Sequence, residues 1–153
     1  MTSDRIISLA PLAEGKHYQS FSLYVETPGI SLLPDEHELV VNVVSGHFML
    51  INWNVRYVVI DGLFSTDELA FMLLLLSDWP SYVPLEKLLQ AVNCQSAEQI
   101  VQLLDRERDQ AVALLHDLAE HCRRCLRPFG IDVQNVHGLG YKLSRYYSRE
   151  GQA

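Results

Sequence analysis

The 153-residue chain has no long hydrophobic run; its longest apolar stretch, residues 69–76, falls far short of the roughly 20 residues a membrane-spanning helix needs. The N-terminus carries no basic segment followed by an apolar one, so no secretory leader is expected and the expected compartment is the cytoplasm. Cysteine is scarce. Cys94, Cys122 and Cys125 form neither an even disulfide framework nor a repeated metal-ligand pattern, and reduced thiols are expected. The catalytic signatures of common enzymes are missing too: there is no Gly-rich phosphate loop, no Gly-x-Ser-x-Gly elbow and no His-Glu-x-x-His pair. The acidic pairs Asp35-Glu36 and Asp67-Glu68 read as a turn and a helix cap, so neither an enzyme nor a cofactor is expected. Basic residues are few, with 12 Lys and Arg against 19 Asp and Glu and a formal charge of −7. That balance excludes a generic polyanion binder, whose affinity rests on neutralising phosphate.

What is present suits one compact domain, or one domain with an elaborated end, since 48% hydrophobic residues can bury a real core. The net charge hides an asymmetry. Residues 1–109 hold six basic and fifteen acidic side chains, and residues 110–153 hold six and four. A basic end on an acidic body can orient the chain on a polyanion while its other faces repel non-specific contact.

Residues 5–9, 18–26, 38–44, 47–53 and 56–60 are short runs rich in Val, Ile, Tyr and Phe, separated by turn formers at Pro28-Gly29, Pro34-Asp35, Ser45-Gly46 and 52–54. They predict an antiparallel meander. The pattern changes at Phe64-Ser65-Thr66-Asp67-Glu68, where Ser65 and Glu68 have capping-box spacing and Phe64 can act as the staple, so a helix is predicted from there to about Asp78. Being apolar all round, it should be buried. A second helix over 85–92 opens after Pro84, and a helical spacing recurs over 96–104. The charged stretch 105–110 reads as a solvated turn or as continuing helix. Over 111–127 the positions Ala111, Leu115, Leu118, Cys122, Cys125 and Leu126 form an apolar face, opposed by Asp117, Glu120, His121 and Arg124 and flanked by Arg123 and Arg127. Pro128-Phe129-Gly130 stops that helix. Ile131 to Val136, His137-Gly138-Leu139-Gly140 and Tyr141-Lys142-Leu143 then predict a hairpin with a Gly-punctuated turn.

This order of elements resembles the winged helix-turn-helix DNA-binding domain of OmpR/PhoB-type response regulators. The resemblance covers residues 45–145. Phe64-Ser65-Thr66-Asp67-Glu68-Leu69 is similar to the family's Leu-Thr-Pro-Thr-Glu-Phe opening, Trp79-Pro80-Ser81-Tyr82-Val83 to its turn, and Leu88-Leu89 to its paired leucines. His137-Gly138-Leu139-Gly140-Tyr141-Lys142-Leu143 is similar to its Arg-Gly-Val-Gly-Tyr-Arg-Leu wing motif. The resemblance implies an α+β fold with an N-terminal β-meander and a C-terminal wing (131–145), divided as a β-rich extension (1–44), a winged-helix domain (45–147) and a tail (148–153). It also implies that the final helix (111–127) enters the major groove and that the wing touches the adjacent groove or backbone. DNA contacts are then expected from His121, Arg123, Arg124 and Arg127 on the helix and from His137, Lys142 and Arg145 on the wing.

Some features depart from that pattern. His137 stands where the family has arginine, and an imidazole is a weaker phosphate partner than a permanently charged guanidinium. Asp117 and Glu120 would repel phosphate, although a carboxylate can accept from cytosine. The segment 94–110 is longer than the family's connection, and the residues before the matched region are too few for a phosphate-receiving domain. The expected function is a stand-alone DNA-binding transcription regulator with double-stranded DNA as partner. The β-rich N-terminal part would serve self-association, as in a dimer, or contact a protein. The competing reading is a winged helix that has lost DNA binding and acts as a protein-interaction module.

Simpler roles also fit these residues. Gly138 and Gly140 can just turn a hairpin, and Arg123, Arg124 and Arg127 can complement the helix dipole. Cys122 and Cys125 with His116 and His121 have ligand chemistry, but both cysteines lie on the apolar face. A free cysteine there packs as a small hydrophobe, and no metal site is expected.

Overall fold

A computed structural model describes residues 5–6, 17–25, 29–93 and 96–146. The remainder of the expected strand 5–9, its neighbour's end at Glu26, Cys94 and the tail 148–153 lie outside the described residues. The chain is α+β and divides into two compact units, Met1–Ser65 and Thr66–Ala153. The division falls later than the expected boundary at 44/45 because strands after that point pair with strands before it.

In the first unit, β1 (Arg5–Ile6), β2 (Tyr18–Phe21), β5 (His37–Asn42), β6 (His47–Asn52) and β7 (Tyr57–Leu63) form a five-stranded antiparallel sheet in the order β1-β7-β6-β5-β2. The expected run 18–26 is interrupted at Leu23, which is buried with φ +53, and β3 (Tyr24–Val25) pairs separately with β4 (Ile30–Ser31). Successive strand side chains point to opposite faces. Val40, Met49, Ile51 and Val58 cluster with Tyr18 and Trp53 on one face, while Leu39, Val41, Phe48 and Leu50 are buried on the other. Burial on both faces explains why β5 and β6 read as continuous apolar runs rather than alternating ones. Phe64 stacks on Phe48 at 4.1 Å between ring centroids.

In the second unit, α1 (Thr66–Asp78) buries Leu69, Phe71, Met72, Leu75 and Leu76. The two-residue strand β8 (Val83–Pro84) leads directly into α2 (Leu85–Asn93). The segment 94–110 contains a helix of its own, α3 (Ala97–Arg106). Ser96 caps it by accepting from the Gln99 backbone N–H, and the Gln99 side chain accepts in return from the Ser96 N–H. Glu107 alone separates α3 from α4 (Arg108–Leu126). Arg127–Phe129 form a 3-10 turn closed by Gly130 in the left-handed conformation, and the hairpin β9 (Ile131–Asn135) and β10 (Gly140–Arg145) follows.

The hairpin does not stand alone. β10 is the centre of a three-stranded sheet, β8-β10-β9, with Tyr141 opposite both Val83 and Asn135. An isolated two-stranded hairpin is marginal in water, and a third strand with an apolar face makes it stable. That face is Ile131, Val133, Tyr141 and Leu143, all buried, and the Tyr141 ring meets Phe71 of α1 edge-on at 5.7 Å. The Leu85 N–H, first of the unpaired donors at the start of α2, donates to the Leu139 carbonyl at 3.1 Å and ties the tip of the hairpin to that helix.

Candidate nucleic-acid interface

The seven residues expected to contact DNA lie on α4, on the 3-10 turn that follows it and on the hairpin. The structure sorts them into different environments. Arg123 is turned inward: its side chain is only 20% exposed, and its Nε donates to Asp132 Oδ1 at 2.9 Å and to the Val133 carbonyl at 3.2 Å. Its Nη2 donates to the same carbonyl at 2.6 Å, and Nη1 pairs with Glu120. β9 lies at the edge of its sheet, so the Val133 backbone faces away from β10. Its N–H donates to Asp132 Oδ1 at 2.8 Å, and its carbonyl is closed by Arg123. The Arg123-Asp132 pair therefore caps a sheet edge that would otherwise offer free backbone groups to another chain. Glu120 is neutralised in the same cluster, which leaves Asp117 as the exposed acid on that stretch of α4.

Arg124 is exposed, and its guanidinium makes no ion pair or hydrogen bond among the described residues. Arg127, one turn further on, is also exposed and lies over the Tyr146 ring, 5.5 Å from its centroid. Tyr146 is held there because its N–H donates to the Gly130 carbonyl at 2.9 Å. Arg145 is exposed at the end of β10, where it pairs with Ile131 just after Gly130. Lys142 is half-buried opposite Gln134, partway along the hairpin. His121 is exposed, with Nδ1 3.7 Å from Glu68 Oε2 on α1.

His137 sits at the other end of the hairpin. It is exposed with φ +50 and is followed by Gly138 at φ +74; the Leu139 N–H donates to the Val136 carbonyl at 2.8 Å. Two central residues at positive φ are what a primed hairpin turn requires. The two glycines of the motif differ in purpose. Gly138 supplies the left-handed conformation in open space, whereas a Cβ on Gly140 would collide with the Val83 carbonyl oxygen across the β8-β10 contact.

Burial, and secondarily Glu68, raises the Cys122 thiol far above its ordinary range. The same two causes raise Cys125, which is half-buried. A thiol kept protonated is neither a good nucleophile nor a ready metal ligand. The sequence gives no local sign of the Arg123 cap or of Tyr146 beneath Arg127, because both need the chain to fold back across Gly130. No model of a known protein family, no curated protein and no solved structure matches this chain.

Proposed function

We propose that residues 66–146 form a winged helix-turn-helix of the OmpR/PhoB type, and that the protein is a cytoplasmic DNA-binding regulator rather than an enzyme. The observation that carries the reading is the sheet order β8-β10-β9. A strand set between α1 and α2 holds the hairpin against the helix pair, so that α4 and a pinned wing present one side chain set to a duplex. α4 is 19 residues, about 28 Å, which is longer than the roughly 12 Å width of a major groove. α1 and α2 fill the core behind it. The exposed guanidinium groups of Arg124 and Arg127 supply attraction to phosphate, and the acidic remainder of the chain disfavours other orientations.

A protein-interaction role for the same fold is favoured by one feature: Leu139 at the hairpin tip is 56% exposed, and the exposed Tyr82 ring lies against the adjoining Gly140. Fluorescence anisotropy with labelled mixed-sequence duplex at 50 and 200 mM salt separates the two roles. Binding that weakens with salt is expected; no binding at 50 mM refutes the DNA reading.

A further inference from the structure

We infer that the phosphate grip of this protein is confined to the end where α4 meets the base of the hairpin, with Arg124 and Arg127 as its principal charges, and that the wing tip supplies little of it. The inference rests on the DNA reading above and narrows it to one end of the helix. Along α4 the charges are unevenly distributed. In its first turn Arg108 is offset by the neighbouring Asp109, its middle has Asp117, and its last turn has Arg123 and Arg124, with Arg127 following in the 3-10 turn. Arg123 is withdrawn into the pair with Asp132 and Glu120, so Arg124 and Arg127 carry the outward charge of that end. They are three residues apart on one side of a helical segment, the spacing of side chains that neighbour each other.

The ring of Tyr146 backs the Arg127 guanidinium at 5.5 Å, which fixes its direction without neutralising it. Lys142 adds a third charge partway up the hairpin. The tip, by contrast, presents a histidine, a glycine and a leucine. Asp117 lies seven residues before Arg124, about 10 Å along the axis, which is roughly one Debye length at 0.1 M salt. Its repulsion is therefore screened at the proposed grip, whereas it would act fully on a duplex seated over the middle of the helix.

The test is the salt dependence of the full chain binding to a mixed-sequence duplex. Three neutralised phosphates give a slope of log affinity against log salt of about −2.7, or roughly a 40-fold loss between 50 and 200 mM. Combining Arg124→Ala and Arg127→Ala should shallow the slope by about 2, and Arg127→Lys in place of Arg127→Ala should restore about half of that loss. His137→Ala should leave the slope unaltered, and Asp117→Asn should change affinity by less than about twofold. Arg124→Glu, at an exposed helix position, gives the same answer by charge reversal if the double variant fails to fold. An unchanged slope in the arginine variants, or a drop of about 1 on His137→Ala, overturns the inference while leaving DNA binding intact. A wild-type protein with no salt-dependent binding overturns both.

Discussion

Arg123→Met removes a guanidinium while keeping most of the side chain's aliphatic stem, and its cost can be worked from the geometry. The Val133 carbonyl accepts from Nη2 at 2.6 Å and from Nε at 3.2 Å, and Asp132 Oδ1 accepts from Nε at 2.9 Å. Hydrogen bonds from a charged donor contribute about 1.5–3 kcal/mol, and a buried carbonyl left without a partner costs about 1–3 kcal/mol. Val133 is fully buried, but the Arg123 side chain is 20% exposed, so water replaces part of the loss. The expected destabilisation is about 2 kcal/mol, a fall in the urea midpoint of about 1 M. Because the chain has two compact units, the reporter must belong to the second. Trp53→Phe leaves Trp79 as the sole tryptophan, and its fluorescence during urea titration follows that unit. A double-mutant cycle with Asp132→Asn should show coupling of about 1 kcal/mol, since the asparagine oxygen can still accept from the Val133 N–H. Light scattering should rise in Arg123→Met as the β9 edge is uncovered. A change below about 0.5 kcal/mol, the level of ordinary surface substitutions, would refute the edge-cap argument.

The two glycines of the hairpin, Gly138 and Gly140, should respond unequally. Gly138→Ala is expected to cost about 1 kcal/mol for a left-handed alanine, and Gly140→Ala about 3 kcal/mol because the Val83 backbone must move; equal shifts in the urea midpoint would contradict the close approach. Cys122 should make the protein lose stability in alkali. Its folded pKa is raised, so the stabilisation is whole below the unfolded thiol value of about 8.5 and declines as pH climbs from there toward the higher folded value, by up to about 1.4 kcal/mol per pH unit. Urea titrations from pH 8 to 10 should show this slope in the wild type and less of it in Cys122→Ala; parallel curves would show that the thiol is not protected.

Much of the second unit is legible in the sequence because its signals are local. Pro84 opens α2, and the spacing from Ala111 to Leu126 gives the buried face of α4; the His137-Gly138 pair marks the turn. The break at Glu107 is less obvious, since no proline or glycine stands there. The apolar stripe through Ile100 and Leu104 resumes only at Ala111, and nothing at 107 or 108 is apolar, so no packing holds a continuous helix through those residues. In the first unit, Leu23 breaks a run that looks like one strand, and only burial of that side chain in a left-handed conformation accounts for it. Such an override depends on partners distant in sequence.

The candidate site follows the same division between local and long-range signals. Helix periodicity puts Arg123, Arg124 and Arg127 on or beside one polar face and gives no reason to separate them. The separation comes from β9 returning beside α4, which brings Asp132 and the Val133 carbonyl to Arg123 and leaves Arg124 facing solvent. Net charge misleads for the same reason. Arg123, Glu120 and Asp132 all enter the sum, yet they largely cancel one another inside the fold, and the charge available to a partner is set by the side chains left unpaired. An acidic protein can thus present a small basic end, and its affinity for a polyanion should follow Arg124 and Arg127 rather than the total of −7.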